Sequence, residues 1–194
     1  MTKKRLILIG LAILVLLILF FILRSTVNAG LGSKIDDCKA AFTRGVEDGM
    51  GGRGLSLAQA LQQRLDAADG LQTIAAKHDE VYSEYAALRT ARNELMTLVA
   101  EGKDLSAMYQ ANEALDPLFT ACREALEGLT EGKERSALDT YQADMDAARE
   151  AVSKAGAAFN AHVEDFTDSV LKRFPNSLLK GLVKTGLPTY WQAP

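Results

Sequence analysis

The chain has 194 residues, 24% of them charged, and a formal net charge of −3. Four basic residues (Lys3, Lys4, Arg5, Arg24) and no acidic one occupy the first 24 positions, so the remainder sets 18 basic against 25 acidic side chains, a net −7. That balance argues against a nucleic-acid partner, because phosphate binding needs a basic footprint, and a composition rich in Ala, Leu, Glu, Lys, Gln and Arg with only 4 Pro sets the fold class as all-α.

Residues 6–23, LILIGLAILVLLILFFIL, contain no charged and no polar side chain. As a helix rising about 1.5 Å per residue they span about 27 Å, close to the thickness of bilayer hydrocarbon, and the flanking Lys and Arg reach the headgroups. The run is longer than the core of a secretion signal, typically about 7–15 residues, which favours an anchor over cleavage after Ala29. Positive charge at the amino end predicts a cytoplasmic terminus over residues 1–5, a transmembrane helix over 6–24 and an extracytoplasmic domain beyond.

Gly30, Gly32 and Ser33 mark an expected linker over 25–33. A short amphipathic helix with Ile35, Cys38, Phe42 and Val46 on one face opens a bundle expected over 34–175 and ends at the glycines from Gly49. Residues 49–54 formally match G-x-G-x-x-G, but the dinucleotide motif needs a preceding strand and none is patterned here, so a helix-to-helix turn is expected. Ser56-Leu57-Ala58-Gln59 reads as a capping box. It opens one long helix to about Ala100, with Leu57, Leu61, Ala68, Leu71, Ile74, His78, Val81, Tyr85, Leu88, Leu95 and Val99 as its stripe and Gly102 as its stop.

Asp104 caps a seam of Leu105, Met108, Asn112, Leu115, Phe119, Cys122, Leu126 and Leu129, with steps of three and four. Asp116-Pro117 inside it predicts either a kink or a restart with Asp as cap. A turn at residues 130–133 and a second cap pattern from Ser136 precede a seam of Leu138, Tyr141, Met145, Ala148, Val152, Ala155, Phe159, His162, Phe166 and Ser169, stopped by Phe174-Pro175. Striped helices with short turns pack as an antiparallel bundle.

Residues 176–194 form a basic amphipathic tail. It allows two readings: a contact with the membrane surface through Lys180, Lys184, Tyr190 and Trp191, or an apolar face that closes one end of the bundle. Cys38 and Cys122 sit on apolar faces and read as buried thiols rather than a disulfide. His78 and His162 lie on seams without the Glu-x-x-His pattern of bundle metal sites, and His78-Asp79-Glu80 lacks the C-x-x-C of zinc deaminases. Without G-x-S-x-G, H-E-x-x-H or a Walker loop, no catalytic residue, cofactor or metal is assigned. Arg89, Arg92 and Glu94 with Arg149 and Glu150 are candidates for interhelical salt bridges.

The stretch LQQRLDAADGLQTIAAKH from Leu61 resembles the first block of the LemA family in Leu61, Arg64, Asp66 and Leu71, with Ala68-Asp69-Gly70 where that family usually has Ile-Pro-Asn. Ala148-Arg149, Phe159-Asn160, Val163 and Phe166 resemble its Ala-Arg and aromatic-Asn repeat. Phe174-Pro175-Asn176, Leu178-Leu179 and Pro188-Thr189-Tyr190-Trp191 resemble its closing block. The resemblance implies a single-pass bacterial membrane protein with a helical-bundle domain and no established enzymatic activity. The expected function is a non-enzymatic scaffold or interaction protein of the inner membrane that binds another envelope protein; the alternative is a ligand- or metal-binding sensor.

Overall fold

The computed structural model describes residues 3–47, 51–173, 176–179, 187 and 190, with the side chains of 3–9, 23, 26–29, 178 and 179 left out of the description. The fold is all-α: helices α1 (Lys3–Arg44), α2 (Leu57–Ala75), α3 (Tyr82–Glu101), α4 (Leu105–Glu127), α5 (Gly132–Phe166) and α6 (Asn176–Leu179), with a 3₁₀ turn at Asp79–Val81 and a π turn at Thr167–Leu171. Among the described residues the one β pairing is an isolated bridge between Glu47 and Arg53. The chain divides into two compact units, Met1–Lys39 with Glu164–Leu187, and Ala40–Val163 with Pro188–Pro194.

In the first unit α1 runs unbroken through Gly30 and Gly32, so the expected linker over 25–33 is helix. Helical hydrogen bonds are local, and a glycine costs about 1 kcal/mol without breaking them. Leu31 and Ile35, one turn apart, are buried with Leu171, and Phe166, Val170 and Leu187 pack around them. Among the described residues no helix is long and apolar enough to cross a membrane. The described side chains of the apolar run are residues 10–22, and they are exposed, Leu16 at 65% and Phe21 at 63%.

The second unit is the helical bundle. Ser56 caps α2 as the capping box predicts, its hydroxyl accepting from the Gln59 backbone N–H while the Gln59 side chain accepts from the Ser56 N–H. The expected single helix over 56–100 is two. At its centre the N–H groups of Lys77 and His78 donate to the carbonyls of Ile74 and Ala75, three residues back, and His78 is extended at φ −122°. The chain reverses there through Asp79–Val81 with no Gly or Pro. Val81 is buried, so the apolar phase that made the segment read as one helix comes from a buried turn. α3 ends on Gly102 in the left-handed region at φ 63°, a conformation that favours glycine.

α4 is continuous across Pro117. Proline removes the N–H that would bond to the Glu113 carbonyl, a cost of about 3 kcal/mol in a helix interior. Burial of Leu115, Phe119, Cys122 and Leu126 around it outweighs that, at roughly 1.5–3 kcal/mol for each large apolar side chain. α5 starts at Gly132, one turn before the expected cap, which places Ser136 inside the helix. Glu134 in that first turn is held by Lys77 Nζ at 2.9 Å.

Three contacts fix the direction of α5 against α2. Lys77 meets Glu134, Gly70 faces the ring of Tyr141, and Arg64 shares Asp116 with Arg149. As the α2 number falls the α5 number rises, so the two are antiparallel. Leu138, Met145, Ala148, Val152, Ala155 and Phe159 are buried as the seam predicts, and Phe42 meets Phe159 edge to face at 6.3 Å.

Candidate functional site

A polar layer of the bundle lies where α2, α4 and α5 approach one another. Arg64 is 1% exposed, in a buried stripe of α2 that is otherwise apolar except for Gln72. Its Nη2 donates to Asp116 Oδ1. The other oxygen of Asp116 accepts from Arg149 Nε at 3.0 Å, and a second Arg149 nitrogen lies 3.0 Å from it. One carboxylate thus ties three helices together. Charge-assisted bonds of this kind are stronger than neutral ones, and the bond to Asp116 raises the pKa of the Arg149 guanidinium.

Beside this clamp is an open cleft of about 560 Å³. Arg64, Asn112 and Tyr190 form its floor, Tyr109 and Val152 its apolar side, and Glu113, Asp146, Arg149, Glu150 and Ser153 its polar rim. Asn112 is 2% exposed. Its Nδ2 donates to Glu113 Oε1 at 3.3 Å, which fixes the amide orientation because a carboxylate only accepts. Asn112 Oδ1 and Arg64 Nε, both buried, have no hydrogen-bond partner among the described residues. An unmet buried polar group costs about 1–3 kcal/mol.

Tyr190, for which the sequence allows either a membrane-surface contact or a place closing the bundle, is fully buried. Its backbone N–H donates to Asn160 Oδ1 at 2.8 Å and its ring meets Tyr109 edge to face at 5.5 Å. Burial pushes its phenol well above the ordinary value. At this residue the tail closes the bundle, since an amphipathic ring with a bundle groove in reach loses more water contact there than at a headgroup layer. Lys180, Lys184 and Trp191 lie outside the described residues.

The other sequence candidates are dispersed. His78 Nε2 lies 3.3 Å from Glu134 Oε2 at the far end of α2, and bonds from Lys77 and then His78 lower the pKa of Glu134. Among the described residues no three His, Cys, Asp or Glu side chains are grouped to hold a metal. Cys38 and Cys122 are free buried thiols, and desolvation raises each to about 11. Arg92 pairs with Asp69 at 2.8 Å and donates to the Leu65 carbonyl, while Arg149 turns to Asp116 rather than to α3. Asp116 and Asn112 escaped sequence reasoning as site residues, although an Asn on the apolar seam of α4, with an Asp one turn on, was the visible signal. No family model, no curated protein and no solved structure matches the chain.

Proposed function

We propose that this protein is a membrane-anchored, non-enzymatic helical bundle of the bacterial inner membrane that holds or recruits another envelope protein, with its amino end in the cytoplasm. The observation that carries the reading is the uncharged run over residues 6–23, inside one helix from Lys3 to Arg44, whose described side chains have no apolar cover. An exposed apolar face of that length is unfavourable in water and favourable in lipid. Basic residues gathered at its amino end support the orientation, and the blocks at Arg64, Arg149 and Asn160 support a likeness to the LemA family.

The test is extraction and labelling. The intact chain should stay in membranes washed with alkaline carbonate, and a Cys introduced at Gly51 should react with a membrane-impermeant maleimide once the outer barrier is opened. Release into the wash, or labelling only after lysis, would overturn anchoring or orientation respectively. Crosslinking in native membranes should give an adduct with a second protein, and recovery of the bare monomer alone would remove the scaffold role.

A further inference from the structure

We propose that the cleft between α2, α4 and α5 is a binding site for a small organic cation that carries a neutral oxygen next to its ammonium group, as in an amino alcohol or an amino-acid amide. The proposal concerns the bundle only and stands whether or not the chain is anchored.

The floor of the cleft presents two groups of opposite kind that are unmet among the described residues: Arg64 Nε–H, a donor, and Asn112 Oδ1, an acceptor. An apolar guest satisfies neither, and a guest with only acceptors leaves Asn112 unmet. A hydroxyl or amide oxygen accepts from Arg64, and an ammonium or hydroxyl donates to Asn112. The charge of Arg64 is already matched by Asp116, so the floor does not call for an anion. Around it stand the carboxylates of Glu113, Asp146 and Glu150, and Asp116 is shared with Arg149. Glu150 is itself paired with Lys154, so two guanidiniums and one ammonium stand against four carboxylates, a balance that stays negative and favours a cation over phosphates and carboxylates. Tyr109 adds an aromatic wall, and a ring face stabilises an ammonium by about 0.5–2 kcal/mol. The volume of about 560 Å³ lies within the usual range for small-molecule sites, about 300–1,000 Å³.

A water molecule trapped on the floor is the competing account, and it differs in what Asn112 does for stability. If the floor is left unmet for a guest, Asn112→Leu removes an unmet acceptor and leaves the free protein as stable or more so. If water is built in, the same change strands it and lowers Tm. The experiment uses the full chain in detergent micelles, with glucosamine and lysinamide as probes and glucose, N-acetylglucosamine and free glutamate as controls. Binding is followed by titration calorimetry and by the rise in Tm.

At least one of the two amines should bind and raise Tm, and the three controls should not. Asn112→Leu should weaken that binding by about tenfold or more, the equivalent of one lost hydrogen bond to an ion, without lowering the Tm of the free protein. Glu150→Gln, at the rim, should weaken the amine severalfold and leave the fold intact. Binding of neither amine, equal binding of glutamate, or a lowered Tm in Asn112→Leu would each overturn the proposal. The last would assign the floor to a structural water.

Discussion

Gly70 sits in the interior of α2, where a glycine normally costs about 1 kcal/mol relative to alanine. Its justification is the ring of Tyr141 on α5: a Cβ at position 70 stands 2.3 Å from Cε1 and 2.6 Å from Cδ1 and Cζ. Carbon atoms approach comfortably to about 3.5–4.0 Å, so Gly70→Ala forces the ring back by more than an ångström. Crowding of this kind costs about 1–3 kcal/mol, and the helix gain offsets about 1 of it. Gly70→Ala alone should therefore destabilise by about 1 kcal/mol. In a Tyr141→Ala background the obstacle is gone and the same substitution should stabilise by about 0.5–1 kcal/mol, giving a coupling near 2 kcal/mol. Urea unfolding of the four proteins followed by far-ultraviolet circular dichroism measures the cycle. If Gly70→Ala stabilises both backgrounds equally, the close approach of α2 and α5 at this level is wrong.

Asp116→Ala should cost about 3–5 kcal/mol, since it strands the buried Arg64, whereas Arg149→Ala, on a half-exposed partner, should cost no more than about 1 kcal/mol by the same unfolding measurement. Gly45 and Gly102 both have positive φ, but a Cβ at Gly45 lies 2.2 Å from the Gly54 carbonyl oxygen while one at Gly102 meets nothing nearer than 3.8 Å; Gly102→Ala should cost about 1 kcal/mol and Gly45→Ala distinctly more, read as the shift in thermal midpoint. Cys122, raised from 9.0 to about 11, keeps its proton where the unfolded chain loses it. The folded state then binds more protons, so stability is level below pH 9 and falls as pH rises from 9 to 11. Cys122→Ala, whatever its effect at neutral pH, should flatten that decline in urea titrations across the range.

Helix type and burial were legible because each seam repeats a simple period: seven of the eight residues of the α4 seam are buried, Leu129 alone being exposed, and a step of three and four has few other solutions in water. The α2–α3 reversal was not legible. Ile74, His78, Val81 and Tyr85 keep helical phase straight through it, and the signals that mark a turn, Gly and Pro, are missing at residues 76–81 while they are present at Gly30 and Gly32, where the helix continues. A glycine is permissive, so it permits a bend only where tertiary contacts ask for one. Asn160 was visible as part of a repeated block, yet its partner is the backbone of Tyr190, thirty residues away, and no local pattern encodes a contact at that separation.

The clamp and the cleft share a physical logic that neither has alone. Taking Arg64 and Asp116 out of water costs several kcal/mol per ion, and their mutual attraction returns little more than that, so well-packed apolar residues in this layer would hold the three helices at least as firmly. The layer also leaves Arg64 Nε and Asn112 Oδ1 unmet and, at Pro117, gives up a helical hydrogen bond one turn from Asn112. Gln72 Nε2 on α2 and Arg123 Nε on α4 are also buried without a partner among the described residues, but the layer of Arg64, Asn112 and Pro117 joins several such costs, next to the apolar buried Leu61 and Leu65 on α2 and Phe119, Cys122 and Leu126 on α4. The departures at Arg64 and Asn112 border the open cleft, and the binding site proposed above accounts for them by recognition rather than by stability. A bundle with no such site would be at least as stable with leucine in that layer.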